Sequence, residues 1–329
     1  MNASSFSTQV IGMELPDQDA QHKQRFLSRL RSGRGIRILP QRSRAPSADV
    51  DLACRYIQLW PSMSISTLYQ TLTFNTNPNM ATPDSPTGTG PKAFVPLENN
   101  PEVMTSLVHE LGLSPTLQFH DVYSLNEPSL LAFLPRPALA LLLVFPVTST
   151  YEKHRHDEDA SKEHYNGSGE GEAVVWFKQT IRNACGLIGL LHSVTNGEAR
   201  ERIIENSNLD LLLKQAIPLK PTERAELLYK SQALEAAHQT AAQKGDTTAP
   251  AAEANVDLHF VAFVKDKNGD LVELDGRRRG PLNRGKLGPE DDVLSEKGQE
   301  LGVQAFLKRE EEAGGGELRF SVVMLGPSF

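Results

Sequence analysis

The sequence predicts a domain of the α+β or α/β class, because helical and strand-like patterns intermix along the chain. A proline-flanked apolar run predicts a strand inside a sheet, and several amphipathic segments predict helices around it. The composition, 39% hydrophobic and 23% charged over 329 residues, is typical of a globular protein with a sizeable core. The longest apolar run, Ala138–Phe145, is too short to cross a bilayer, which takes about 20 residues.

The first patterned segments predict a helix followed by two strands. Asn100 can cap a helix whose first residue is Pro101, and Gly112 ends it. Apolar residues recur along one face of this helix at helical spacing: Met104, Leu107, Val108 and Leu111. Phe119–Leu125 predicts a short strand, and Pro128–Leu134 predicts a helical turn. Ala138–Phe145 is continuously apolar, which predicts a strand buried on both faces and central in its sheet.

The middle of the chain combines a predicted loop with predicted helices. The polar residues 150–172 predict a mobile loop. Its histidines lack the fixed spacing of a metal site: His154, His156 and His164. Residues 183–195 are apolar on most sides and predict a buried helix with Asn183 as its N-cap. Further helices are predicted at 198–206, 207–216 and Thr222–His238.

The last third of the chain predicts strands. Residues 241–255 are poor in large apolar side chains and predict a long exposed loop. Asp257–Val264 and Leu271–Leu274 alternate like the two strands of a hairpin, and Asn268-Gly269 between them is a turn signal. Leu318–Leu325 predicts the last strand.

Charge and patterning divide the chain into two parts. Residues 1–79 carry nine basic and five acidic residues, although the whole chain has a net charge of −7. Length alone suggests about two domains, but strong patterning starts only near residue 90. We therefore predict a disordered basic leader over residues 1–90 and one folded domain over residues 91–329. A transit peptide and an anionic-surface patch are the alternatives for the leader, and Met80 is a candidate internal start.

The sequence also disfavours several classes of protein. Two cysteines, Cys54 and Cys185, are too few for a disulfide framework, which favours a reducing compartment. The N-terminus lacks the pattern of a secretory signal. A net charge of −7 argues against a nucleic-acid-binding domain. We expect a cytoplasmic protein, with the nucleus left open as a second compartment.

One cysteine lies in a setting that suits a nucleophile. Cys185 falls in the first turn of the predicted buried helix, where the helix dipole favours a thiolate. His259 begins one strand of the predicted hairpin and Asp275 ends the other, so the imidazole and the carboxylate can meet. Gln179 precedes Cys185 and can donate to a developing oxyanion. This chain order predicts a papain-like cysteine hydrolase, and a buried structural cysteine is the alternative.

These segments resemble the ubiquitin carboxyl-terminal hydrolase family over residues 94–325. FVPLENNPEVM is similar to the family's opening strand and helix, and KQTIRNACGLIGLLHSV is similar to its active-site signature, commonly QTIxNACGT. DLHFVAFV and LVELDGRRRGP resemble its His and Asp segments. Arg182 and Leu187 depart from the common small residue and Thr of the signature. The resemblance assigns four roles, all to residue types that the chain retains: Gln179 as oxyanion donor, Cys185 as nucleophile, His259 as proton donor and base, and Asp275 as its orienter.

The resemblance also implies a fold, an activity and partners. The fold is α+β, a papain-like antiparallel-rich sheet flanked by helices with a knotted backbone, in the short single-domain branch of the family. A crossover loop at about residues 239–256 would arch over the active site and limit the leaving group. The implied activity is a thiol hydrolase that releases small adducts or peptides from the C-terminal Gly of ubiquitin, with Nedd8 left open. A monomer without cofactor, metal, nucleic acid or membrane partner is expected. The alternative is a catalytically silent ubiquitin-binding protein.

The remaining polar groups predict no chemistry. Arg277, Arg278 and Arg279 predict a solvated loop, with phosphate or partner contact as the alternative. His192 lies within the apolar helix and is expected to be a hydrogen-bonded core or rim residue. His109, His120 and Cys54 show no partner pattern and are expected to be inert.

Overall fold

The computed structural model describes residues 92–312 and 319–329. The predicted leader, with Met80 and Cys54, therefore lies outside the described residues. Within the described part of the chain, every helix is too short or too polar to span a bilayer.

The centre of the fold is a six-stranded antiparallel sheet with the strand order β1-β6-β2-β3-β4-β5. Its strands are β1 (Leu117–Asp121), β2 (Ala140–Pro146), β3 (Leu258–Lys265), β4 (Asp270–Leu274), β5 (Leu282–Lys286) and β6 (Ser321–Pro327). Helices cover both faces of this sheet, which confirms the α+β class. The knotted backbone path stays a prediction.

The helices follow in chain order between the strands. They are α1 (Pro101–Leu111), α2 (Pro128–Leu131), α3 (Ser149–Ala160), α4 (Cys185–Val194), α5 (Asn208–Ala216), α6 (Pro221–Lys230), α7 (Gln232–Ala242), α8 (Glu296–Leu301) and α9 (Val303–Glu312). A 3₁₀ helix spans Gly197–Arg202. It replaces the helix predicted at 198–206.

The strand predicted from the proline-flanked apolar run is β2, and it is buried along its whole length. Leu142 and Val144 point to the side of the sheet covered by α1 and α4, whereas Leu141 and Leu143 point to the side covered by α3 and α9. Each fully buried leucine side chain stabilises the fold by about 1.5–3 kcal/mol relative to exposure. The continuous apolar run is therefore explained by helices on both faces.

Helix α1 has the predicted bounds and caps. Asn100 Oδ1 accepts hydrogen bonds from the backbone N–H of Glu102 at 2.9 Å and of Val103 at 3.3 Å. Gly112 ends the helix at φ +114°, and a Cβ there would lie 2.1 Å from Ser207 Cβ. Only glycine fits this backbone conformation and this close approach.

The loop predicted at residues 150–172 is wrong over its first half, which forms α3. Thr148 caps this helix by accepting a hydrogen bond from the N–H of Tyr151 at 2.9 Å. Only Tyr151 and Asp159 of its residues are buried, so the helix has no apolar stripe for a periodicity analysis to find. Ion pairs with the segment after β4 hold it instead.

The amphipathic helix predicted over Thr222–His238 is two helices. The backbone is extended at Ser231, between α6 and α7, with φ −74° and ψ 102°. The Ser231 hydroxyl accepts a hydrogen bond from the N–H of Leu234 at 3.3 Å and so caps α7. A serine at a helix N-cap is favoured for this reason, and it marks the break.

The predicted hairpin is present as β3 and β4, but its turn is longer than the Asn268-Gly269 pair. The first strand ends at Lys265 and the second begins at Asp270, so four residues separate them. The Asp266 carboxylate organises this turn by accepting from the N–H groups of Asn268 and Asp270, both at 2.8 Å. Such side-chain to backbone bonds are what Asp contributes to turns.

Other boundaries differ by a few residues, and three elements were not predicted. The strand predicted at Phe119–Leu125 is β1, which ends at Asp121, and the predicted last strand is β6, which ends at Pro327. The unpredicted elements are β5, α8 and α9. The sequence of β5, Leu282–Lys286, is mostly polar, because it lies at the edge of the sheet.

Candidate active site

The predicted nucleophile lies at the first residue of α4. Cys185 is half-buried, whereas the nine residues that follow it in α4 are buried. Glycines let this helix approach the sheet closely: a Cβ at Gly189 would lie 2.6 Å from Leu142 Cδ2, and one at Gly186 would lie 3.0 Å from Leu97 Cβ. The helix therefore places the Cys185 thiol beside β3, with Sγ 3.9 Å from the carbonyl oxygen of Leu258.

The structure brings the predicted base and its orienter together. His259 follows Leu258 in β3, and its Nε2 lies 2.8 Å from Asp275 Oδ1. The Cys185 thiol bonds the carbonyl oxygen of Leu258, the residue before His259, and it contributes to raising the pKa of the imidazole. Because Nε2 is engaged by the carboxylate, Nδ1 is the ring nitrogen left to exchange a proton with the thiol. The cross-strand contact between His259 and Asp275 was predicted from the hairpin.

The electrostatics of this pair favour a protonated imidazole. Burial alone would lower the pKa of His259, but the charge of Asp275 and the hydrogen bond to it raise that pKa above its ordinary value. Burial alone would raise the pKa of Asp275, but His259, Tyr151 and the backbone N–H of Arg277 hold it well below its usual range. The carboxylate therefore stays charged and stabilises an imidazolium that forms beside the thiol.

Gln179 lies beside the turn that carries Asp275. Its backbone N–H donates to the carbonyl oxygen of Gly276 at 2.9 Å, and its Nε2 donates to the carbonyl oxygen of Ile181 at 3.4 Å. A Cβ at Gly276 would lie 2.9 Å from Gln179 Cβ, so glycine permits the contact. The amide carries a second N–H hydrogen that this bond does not use. Gln179 thus retains the capacity to donate to an oxyanion.

The predicted N-cap role of Asn183 is wrong. Ala184 precedes α4 and no side chain caps the helix. Asn183 instead adopts φ +57°, a conformation that asparagine tolerates better than most residues. Its Nδ2 donates to the carbonyl oxygens of Ala252 and Ala254 at 2.8 and 2.9 Å, within the predicted crossover loop.

The loop between α7 and β3 is attached at two places. Asn183 holds its second half, and Arg182 Nη2 adds a 2.5 Å hydrogen bond to Asn255 Oδ1. Glu98 holds its first half by accepting from the Thr247 N–H at 3.1 Å and from the Thr247 hydroxyl at 2.7 Å. The predicted loop began at residue 239, but α7 extends to Ala242 and shortens it.

His192 is a core residue, as predicted. It is fully buried in α4, and its Nε2 accepts a hydrogen bond from the backbone N–H of Phe177 at 2.9 Å. Burial lowers its pKa to about 4, so it stays neutral at neutral pH. His109 and His120 each bond a backbone carbonyl, at 2.7 Å to Leu117 and 2.8 Å to Pro327. These three histidines hold structure.

The solvated loop predicted at Arg277–Arg279 is wrong for Arg278. Its guanidinium is buried and forms ion pairs with Glu273 and Asp159 at 3.1 Å and with Glu158 at 3.0 Å. A buried guanidinium needs such partners, since an unpaired buried charge is costly. Across the residues that the structure describes, no cluster of His, Cys, Asp and Glu could hold a metal ion.

One group that touches the site was not predicted from the sequence. The hydroxyl of Tyr151 donates a hydrogen bond to Asp275 Oδ2. Tyr151 lies in α3, which was predicted to be loop. The available signal was Thr148, a good N-cap residue three positions before the tyrosine.

Comparison with known proteins identifies the family. The family model described as ubiquitin carboxyl-terminal hydrolase, family 1, matches residues 94–307. Ubiquitin carboxyl-terminal hydrolase YUH1 of Saccharomyces cerevisiae is 35% identical over 245 residues, which are 72% of this chain and 98% of the yeast protein. A ubiquitin carboxyl-terminal hydrolase of Drosophila melanogaster is 38% identical over 233 residues, 70% of this chain and 96% of the fly protein.

A solved structure shares the fold. The catalytic domain of Trichinella spiralis UCH37, bound to ubiquitin vinyl methyl ester, superposes with a TM-score of 0.54 at 23% identity. The match covers 72% of this chain and 96% of that domain. The chain belongs to ubiquitin carboxyl-terminal hydrolase family 1, a family of cysteine peptidases.

Proposed function

We propose that this protein is a thiol hydrolase that cleaves the bond after the C-terminal Gly of ubiquitin and releases small adducts or peptides. One observation carries the proposal: the Cys185 thiol, at the start of α4, bonds the carbonyl oxygen of Leu258, and the next residue is His259, whose imidazole is bonded to Asp275 at 2.8 Å. Thiol, base and orienter in this order are the parts that nucleophilic acyl transfer requires.

The first half of the reaction forms an acyl-enzyme. His259 takes the proton of Cys185, and the thiolate sulfur attacks the carbonyl carbon of the terminal Gly. The amide of Gln179 and the backbone N–H of Cys185 donate hydrogen bonds to the oxyanion. His259 then gives its proton to the leaving amine or thiol, the bond to the adduct breaks, and the ubiquitin carbonyl stays on sulfur as a thioester.

The second half of the reaction hydrolyses the thioester and regenerates the free enzyme. His259, now neutral, accepts a proton from water as its oxygen attacks the thioester. The oxyanion is held by the same donors, and the sulfur leaves as the thiolate beside the imidazolium. Asp275 keeps its charge throughout and stabilises the imidazolium in each half-reaction. Its low pKa and the raised pKa of His259 support this assignment.

The loop between α7 and β3 supports the restriction to small adducts. We assign to it the crossover role, in which it passes over the active site and limits the size of the leaving group. Asn183, two residues before Cys185, bonds the loop, so the loop and the nucleophile share one anchor. The leaving group would have to be a small molecule or an unfolded peptide.

The proposal extends to the rest of the chain and to its partners. Residues 91–329 would form the catalytic domain, with residues 1–90 as an accessory basic leader. We propose ubiquitin as the partner and Nedd8 as a second modifier to test. The enzyme would act as a monomer in the cytoplasm, without a cofactor.

Replacement of the predicted nucleophile tests the proposed activity. Cys185→Ala removes the sulfur, so hydrolysis of ubiquitin–aminomethylcoumarin should fall by at least about 10⁴-fold. Ubiquitin binding, measured by titration calorimetry, should persist because the side chain is small and half-buried. The matched control is Cys54→Ala, which should hydrolyse the substrate at the wild-type rate. A Cys185→Ala variant with wild-type activity would disprove the assignment.

An electrophilic probe separates the enzyme from a silent ubiquitin-binding protein. Ubiquitin with a C-terminal vinyl methyl ester should attach covalently to the wild-type protein and leave Cys185→Ala unlabelled. The same probe built on Nedd8 shows whether the second modifier is accepted. Binding of ubiquitin without any labelling would favour the silent receptor.

A further inference from the structure

The phenol of Tyr151 makes a contact with the site that the proposed mechanism does not use. Its hydroxyl donates a hydrogen bond to Asp275 Oδ2. The other carboxylate oxygen, Oδ1, accepts from His259 Nε2 at 2.8 Å and from the Arg277 backbone N–H at 2.9 Å. The two oxygens of the carboxylate are thus divided between the phenol on one side and the imidazole and the backbone on the other.

Tyr151 is held rigidly where it makes this contact. It is 1% exposed, and its ring centroid lies 4.8 Å from that of Phe145 and 6.0 Å from that of Phe306. The rings of Tyr151 and His259 are neighbours, with centroids 6.1 Å apart. Burial and the adjacent charge of Asp275 raise the pKa of the phenol well above its ordinary value, so it remains a donor.

Helix α3 is attached to the segment that follows Asp275 at further points. Arg277 Nη2 lies 2.5 Å from Glu152 Oε1, and Arg155 Nη1 donates to the Arg277 carbonyl oxygen at 3.2 Å. These contacts join the residues next to Tyr151 to the residues next to Asp275. The phenol and the carboxylate therefore keep a fixed relative position.

We infer that Tyr151 is a positioning residue for the reaction, and this inference rests on the proposed hydrolase function. Its O–H fixes the rotation of the Asp275 carboxylate, so that Oδ1 stays directed at His259. Without that donor, Oδ2 would be buried and unpartnered, which costs free energy. The carboxylate would turn toward another donor, and its hold on the imidazolium would weaken.

The variant Tyr151→Phe tests the inference, because it removes the hydroxyl and keeps the buried ring. We expect kcat with ubiquitin–aminomethylcoumarin to fall about tenfold, while KM stays within about twofold. The matched control is Tyr165→Phe, which removes a hydroxyl that donates to a different carboxylate, Glu172, at 2.6 Å. Its kcat should stay within about twofold of wild type.

A double variant distinguishes positioning from a general loss of structure. In an Asp275→Asn background, Tyr151→Phe should change kcat by less than about twofold, because the hydroxyl acts through the carboxylate that is already gone. A full loss of about tenfold in both backgrounds would overturn the inference. An unchanged kcat in the single variant would overturn it as well.

Alkylation of Cys185 by iodoacetamide keeps the inference separate from the proposed function, since it needs no ubiquitin. The reaction requires the thiolate, which the imidazolium stabilises, so Tyr151→Phe should slow it several-fold at neutral pH. Mass spectrometry of the Cys185 peptide gives the rate, and Tyr165→Phe should match wild type. If the wild-type protein hydrolyses no ubiquitin substrate, the proposed function fails. Equal alkylation rates in Tyr151→Phe and wild type overturn the inference itself.

Discussion

Helices α3 and α4 approach the same pair, His259 and Asp275, and they are held in place by opposite means. Helix α4 buries nine of its ten residues against the sheet. Helix α3 buries two of its twelve residues and is held by ion pairs with Arg277, Arg278 and Arg284. The candidate nucleophile is thus carried by a helix that apolar packing holds, and Tyr151, which bonds the carboxylate, is carried by a helix that ion pairs hold.

Apolar periodicity in the sequence predicts α4 but does not predict α3. A helix that packs through apolar side chains carries them at helical spacing in its sequence, and α4 could be predicted for this reason. A helix that packs through charged side chains has the composition of a solvated loop, as α3 does. Helix α3 differs from a solvated loop in its ion-pair partners, which lie more than a hundred residues away along the chain.

The largest effect is expected from a substitution that removes ion pairs holding α3. Arg278→Met leaves Asp159 buried without its cation, although Glu273 keeps its ion pair with Arg284, so the free energy of unfolding should fall by about 3–5 kcal/mol. Urea denaturation measures the change. The matched control is Arg279→Met, because the Arg279 side chain is more exposed and bonds only a backbone carbonyl, that of Lys162. A loss below about 1 kcal/mol for Arg278→Met would mean that charges do not hold α3.

The next largest effect is expected from a substitution that disturbs the apolar packing of α4. Gly189→Val places atoms where Leu142 Cδ2 already lies 2.6 Å from the added Cβ, so the free energy of unfolding should fall by about 1–3 kcal/mol. Gly171→Val is the control, since a Cβ there meets no atom within 4 Å. Equal stability of the two variants in urea would contradict close packing of α4 on β2.

The smallest effect is expected at His259 and Asp275, the pair that both helices approach. In Asp275→Asn the carboxylate no longer raises the pKa of His259, and burial lowers it. Activity requires the imidazolium beside the thiolate, so the alkaline limb of kcat/KM against pH should move to lower pH by about one unit, or about 1.4 kcal/mol. Asp266→Asn, in the hairpin turn, should leave the limb in place. A shift of the alkaline limb to higher pH would contradict the expectation that Asp275 raises the pKa of His259.

The sequence was sufficient to predict the elements that carry Cys185 and His259 and the strand that Asp275 follows. The helix that begins at Cys185 and the hairpin between His259 and Asp275 follow from local pattern, and the structure pairs the imidazole and the carboxylate as expected. The four catalytic roles remain proposals. Local pattern suffices here because the hairpin is short and the buried helix is apolar on most sides.

The functions of single polar residues could not be predicted in the same way. Asn183 looked like an N-cap because asparagine before an apolar helix usually is one. The structure instead directs its amide to carbonyl groups about 70 residues further along the chain. Ser231 breaks a helix that its flanking sequence would continue, and the acceptors of Arg278 lie in two separate segments, α3 and β4. Such contacts depend on tertiary structure, which no short window of sequence contains.

The position of β6 in the sheet has a consequence for synthesis. This strand, Ser321–Pro327, lies between β1 and β2, and β1 has no other partner in the sheet that the structure describes. Because β6 follows every other described strand along the chain, β1 and β2 are synthesised before the strand that joins them. Until then β2 exposes an apolar edge, which is prone to pair with other chains. The interval before β6 pairs is therefore the stage of synthesis at which wrong pairing along β2 is most favoured.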